Sequence, residues 1–141
     1  FTGAIFIPSV ATTVRVNSLV DSSGAGDIIL VKGGRGDGAV FEYGAGAIAP
    51  LTLDHRSIQI INNTGTSFPP AGLTNSHLTH PITVNIDLIA IGTTNKTLQL
   101  SAVAGPVNLF NGRITNATGN GAVADYVEAV KIKLGVVAFP R

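Results

Sequence analysis

The chain has no cysteine, no methionine and no tryptophan. Without cysteine there can be no disulfide scaffold, no thiolate zinc site and no cysteine nucleophile. Charge is also scarce. Charged residues make up 12% of the 141 residues, against about 25% in an average soluble protein. Nine Lys and Arg offset eight Asp and Glu, for a net charge of +1. That balance excludes a basic nucleic-acid binder, a polybasic membrane-surface module and an acidic solvating tail. Apolar residues at 45% are ordinary, so the composition is not that of a disordered chain. No apolar run approaches the roughly 18 residues of a membrane-spanning helix. Aromatics are thin, with two Tyr and six Phe.

The missing methionine has a second consequence. The chain opens at Phe1, which reads as an N-terminus left by signal-peptide cleavage. Three N-x-[ST] sequons point the same way, at Asn62, Asn95 and Asn116. A sequon matters only in a chain that meets a glycosylation machinery, and it then marks exposed surface. The expectation is an extracellular protein, secreted through a cleaved signal peptide, with these three asparagines as candidate carriers of N-linked glycans.

What is present is Val, Ile and Thr in quantity, with 17 Gly as punctuation. β-Branched side chains are stiff at χ1 and suit a pleated surface. In Pro81 to Ile91, Ile82, Val84, Ile86, Leu88 and Ala90 alternate with Thr83, Asn85 and Asp87. This is the period-2 pattern of a strand with one dry and one wet face. Similar alternation runs through Val130 to Val136, Thr97 to Val103, Ser57 to Ile61 and Thr12 to Val20, and Asp27 to Lys32 reads as a short buried strand. Ala122 to Lys131 has valines at helical spacing, but a strand continuing into Ile132 suits them better. Asn62 to Pro81 lacks clear alternation and reads as an exposed loop or crossover. Turn residues recur every 8 to 15 positions, with no fixed-period repeat and no composition shift marking a second domain. The expected fold is all-β: an antiparallel β-sandwich, jelly-roll or Ig-like, with an extended N-terminal strand.

No catalytic set emerges. His77 and His80 are spaced i, i+3 in a proline-bracketed stretch, where that spacing fixes no geometry, and no H-E-x-x-H occurs. The eight carboxylates cannot be paired across a cleft from sequence, and most sit at turns. No D-x-[DN]-x-[DN]-G calcium loop and no G-x-S-x-G elbow is present. Residues 33–38 form a Gly-rich run without the following Lys-Ser/Thr of a phosphate-binding loop. Within it Arg35-Gly36-Asp37 matches a short adhesion tripeptide, which a Gly-rich hairpin tip explains as well. No enzyme activity, cofactor, metal or nucleic-acid partner is therefore expected.

The first ten residues stand apart. Phe1 to Val10 is apolar and extended-prone, whereas an N-terminal arm is ordinarily polar and frayed. Such an arm wants cover on both faces. It can find it as a first strand at home or by completing a neighbour's sheet. Repeated head to tail, the second arrangement gives an open filament. The chain thus divides into a donor strand at 1–10, centred on Phe1, Gly3, Ile5, Phe6 and Ile7, and a sandwich at 11–141.

On this apolar N-terminal strand and Cys-free β composition, the chain resembles donor-strand-exchanging filament subunits, in the style of TasA-like biofilm-matrix proteins and archaeal bundling pilins. The resemblance implies a jelly-roll-like sandwich, a donor strand near Phe1 to Val10, glycans on sequon asparagines, and extracellular fibres whose partner is another copy of the chain. A viral capsid or decoration subunit and a carbohydrate-binding β-sandwich are the alternatives.

Overall fold

The structure, a computed structural model, describes residues 1–8, 12–32, 39–62, 71–91, 96–102, 106–112, 114–116, 127–132 and 136–138. Every regular element among them is a strand. In chain order these are β1 (Ile5–Ile7), β2 (Thr13–Val16), β3 (Ile28–Lys32), β4 (Val40–Tyr43), β5 (Leu51–Leu53), β6 (Ile58–Asn62) and β7 (Ala71–Asn75). They continue as β8 (Ile82–Val84), β9 (Leu88–Ile91), β10 (Lys96–Ala102), β11 (Val107–Phe110), β12 (Ile114–Asn116), β13 (Val127–Ile132) and β14 (Val136–Ala138).

Three sheets result, ordered β1-β3-β6-β9-β12, β2-β4-β7-β10-β13 and β5-β8-β11-β14. Every pairing between described strands is parallel. The chain therefore visits one sheet after another and returns to the first one strand further along. This is a three-sided coil, the β-solenoid arrangement in which each turn stacks on the last.

This corrects the expected fold. The domain is all-β, but it is not an antiparallel sandwich, jelly-roll or Ig-like fold. Period-2 alternation says which side of a strand is dry and nothing about the direction of its partner. Parallel strands need a crossover of a dozen or more residues, usually a helix; here the other two sheets serve as the crossover. The apparent single strand from Pro81 to Ile91 is two, β8 and β9, separated by the corner at Asn85, Ile86 and Asp87. Half-buried Ile86 keeps the apolar rhythm going through the turn. The Val130 to Val136 run likewise divides between β13 and β14. A strand, β7, also lies within the stretch read as a loop from Asn62 to Pro81.

The register exposes a repeat. Ile5, Ile28, Ile58, Leu88 and Ile114 are successive partners in one column, at intervals of 23, 30, 30 and 26 residues. Ile7, Leu30 and Ile60 form a second column two residues along, and all three are fully buried. Phe41 and Leu73 stack in the second sheet, and Leu51 on Ile82 and Leu53 on Val84 in the third, so one continuous core runs along the axis. Each such side chain contributes about 1.5–3 kcal/mol on burial.

Turns must be thin enough to stack. A Cβ on Gly112 would collide with the Ile86 carbonyl oxygen of the preceding coil, so that corner requires glycine.

Candidate functional site: the N-terminal end

Phe1 to Ile7 lies in the chain's own first coil. β1 runs parallel to β3, with Ile5 opposite Ile28, Phe6 opposite Ile29 and Ile7 opposite Leu30. The period-2 geometry sorts the side chains. Ile7 is fully buried and Ile5 packs half-buried on the core, while Phe6 is 59% exposed. Phe1 is 78% exposed, and its ring lies over Gly3, whose Cα could carry no side chain without meeting it at 2.9 Å. Among the described strands, none pairs with the outer edge of β1 or of β2. Residues 9–11, which include the end of the expected donor strand, lie outside the described residues.

The residue that organises this end is Arg56, which the sequence reading did not single out. It sits between β5 and β6 and is fully buried. Its Nε donates to the Val20 carbonyl at 2.8 Å, one Nη to Gly3 O at 2.7 Å and to Gly26 O, and the other Nη to Phe1 O at 2.8 Å. Among the described residues it has no carboxylate partner. Asp21 instead shapes the loop that carries it. The Asp21 carboxylate accepts the backbone N–H groups of Asp54, His55 and Arg56 at 2.5, 3.0 and 2.9 Å. Asp27 accepts from Ser57 N–H at 3.0 Å and Gln59 Nε2 at 2.5 Å. Gly26 donates its N–H to Thr2 O at 2.8 Å, and a Cβ there would come within 2.7 Å of Ala4 Cα. The one sequence signal for Arg56 was its place between two alternating apolar runs, Leu51 with Leu53 and Ile58 with Ile60. A guanidinium at that corner has to turn into the core or away from it.

The charge of the two end strands is Arg15 alone. Its Nε pairs with Glu42 Oε1 at 3.0 Å across the β2–β4 ladder, and Ser76 Oγ donates to the same oxygen at 2.6 Å. Burial pushes the Glu42 carboxyl up. The Arg15 hydrogen bond, the Ser76 hydroxyl and the Arg15 charge together outweigh it and hold the group below its ordinary value. Burial alone pushes the Tyr43 phenol up.

The other singled-out residues are dispersed. His55 is exposed, while the His77 and His80 rings stack with centroids 4.1 Å apart. His77 Nδ1 accepts the N–H groups of Thr79 and His80 at 3.1 and 2.9 Å, so the pair braces a tight loop. Asp54, Asn85 and Asn111 follow β5, β8 and β11 and hydrogen-bond in a chain along one corner, at 2.7 and 2.5 Å. Among the described residues no three His, Asp or Glu gather where they could hold a metal ion. Of the sequon asparagines, Asn62 and Asn116 end β6 and β12, Asn62 in register with Lys32 and Asn116 with Ala90. Asn95 and the Gly-rich run 33–38 lie outside the described residues.

No protein-family model matches the chain, and neither a curated protein nor a solved structure matches it.

Proposed function

We propose that the chain is a structural subunit of an extracellular fibre, with copies joined head to tail through the ends of the solenoid. The observation that carries this reading is the N-terminal end itself. Among the described strands the outer edges of β1 and β2 are unpaired, the rings of Phe1 and Phe6 are exposed, and the single charge in those strands is engaged with Glu42. Sheet edges attract further strands, and proteins ordinarily blunt them with Lys or other free charge. Because the sheets are parallel, a second copy can set β12 against β1 and β13 against β2 with every strand pointing the same way. Such a contact is heterologous, so it extends without closing. The sequons and the low charge favour an extracellular setting.

The joint proposed here is edge stacking, not donation of β1. Withdrawing β1 forfeits its ladder to β3 and the Arg56 bonds to Phe1 and Gly3. Insertion into a neighbour would restore those same contacts and add few others. Stacking keeps them and covers two phenylalanines, at about 1.5–3 kcal/mol each.

Electron microscopy with light scattering tests the reading. The wild type is expected to form unbranched fibres above a threshold concentration, and Phe6→Lys to remain monomeric with an unchanged β-type circular dichroism spectrum. Closed shells would favour a capsid role. Monomers at every concentration, with or without a bound oligosaccharide, would overturn the fibre. An engineered Ile5→Cys, Ile28→Cys pair, in register and sparing both phenylalanines, separates the two joints, since the native chain supplies no competing thiol. Stacking leaves that disulfide within one chain, whereas strand donation yields a covalent ladder on a non-reducing gel.

A further inference from the structure

We propose that Arg56 is the latch that builds the docking end, holding the backbone of Phe1 to Ala4 against the second coil so that another copy of the chain meets a formed edge. The inference rests on the fibre reading for its partner, but not for its mechanism.

Exposed backbone outside a strand ladder opens readily unless something ties it down. Phe1 to Ala4 precede the β1 ladder and are exposed. Besides Arg56, the backbone bond from Gly26 N–H to Thr2 O is what holds them. Arg56 reaches three separate stretches at once: the opening residues through Phe1 and Gly3, the segment after β2 through Val20, and the approach to β3 through Gly26. None of these four positions lies in a strand, and Val20 and Gly26 are six residues apart in the loop that joins β2 to β3. A buried cation is costly unless its donors are satisfied, and here carbonyl dipoles take the place of a counter-ion. The planar fork of arginine suits this work, because one rigid group can hold several acceptors in fixed directions. The lysine ammonium is a point charge that cannot reproduce that fan. The outcome is a backbone clamped at carbonyls while the Phe1 ring stays outside, 78% exposed. The clamp thus presents an apolar ring and does not bury it, as a surface meant for a second copy requires.

The test separates the latch from the fibre. Hydrogen exchange is measured on dilute monomer of the wild type and of Arg56→Lys. The variant should speed exchange of the amides from Ile5 to Ile7 by about tenfold or more and leave those of β6 and β7 unchanged. The same variant should lengthen the lag before fibres form. Unchanged protection from Ile5 to Ile7, or a uniform loss across all strands, overturns the latch. If Arg56→Lys does not fold, deletion of Phe1 to Gly3 asks the question from the acceptor side. It should loosen Ile5 to Ile7 with β6 and β7 intact, and unaltered protection there overturns the proposal. If the wild type makes no fibres while the exchange result holds, the fibre reading fails and the latch stands.

Discussion

The middle of the solenoid and its first coil are held by different forces. In the middle, inward apolar side chains stack in register: Leu30 lies between Ile7 and Ile60, and Phe41 between Val14 and Leu73. Cohesion there is chiefly dispersion and water exclusion, spread over many contacts. Among the described strands, the first coil has a neighbour on one side alone. Its strands are three and four residues long, and its third side, between β2 and β3, carries no strand. A terminal coil short of apolar contacts is fixed by directional bonds, from Arg56 to carbonyls, from Asp21 to the 54–56 amides, and from Arg15 to Glu42. Repeat proteins often close their ends with polar caps. This end has polar bonds underneath and phenylalanine on top.

The largest effect that tests the contrast is in the middle. Phe41 is fully buried in the second sheet. Phe41→Ala should cost about 3–5 kcal/mol and lower the midpoint of urea denaturation for the whole domain in one transition. A variant that melts the first coil alone, leaving β6 and β9 protected, would show that the coils are not one cooperative unit.

A smaller effect is expected where polarity enters the core. Asn75 and Asn108 occupy inward positions and are buried. Asn75 Nδ2 donates to Asn108 Oδ1 at 2.7 Å and to His80 O at 2.9 Å, and Asn75 Oδ1 takes the His77 N–H at 3.0 Å. Asn108 Oδ1 also accepts the Ile82 N–H at 2.8 Å. Asn108→Ala leaves that amide and one Asn75 donor without this acceptor. The expected cost is about 1–3 kcal/mol by denaturant titration. A neutral result would mean that water replaces the lost oxygen.

How much of this was legible beforehand follows from the same contrast. The strands of the middle coils and their inward residues, such as Ile58, Ile60, Ile82 and Val84, can be read from alternation, because burial on one face imposes period 2. Strand direction cannot. The repeat hides because the strands of its first sheet are three to five residues long and return after 23, 30, 30 and 26 positions, with turns of varying length between. β7 was invisible for a more specific reason. One of its inward positions is Asn75, so the pattern Ala-Gly-Leu-Thr-Asn shows one large apolar side chain where two were needed. Arg56 was missed because a guanidinium fully satisfied by carbonyls leaves no partner residue to look for in the sequence.

The smallest effect concerns the bond between the first and second coils. Glu42 titrates below its ordinary value of 4.5, because Arg15 and Ser76 favour its charged form more than burial disfavours it. With the folded value below the unfolded one, the ionised carboxylate adds stability above the unfolded value, and that contribution disappears as pH falls through the folded value. Arg15 is 66% exposed, so screening keeps the gain slight, and added salt should shrink it further. The effect is local to the β2–β4 ladder. Protection of the amides from Thr13 to Val16 should therefore weaken as pH falls below the ordinary carboxylate value of 4.5, while that of β6 changes less. Glu42→Gln keeps an acceptor for Ser76 but has no charge to lose, so it should remove the pH dependence and start from the weakened level. If β2 in the Gln variant still loosens on acidification as the wild type does, another carboxylate governs that coil and Arg15 is not what ties it down.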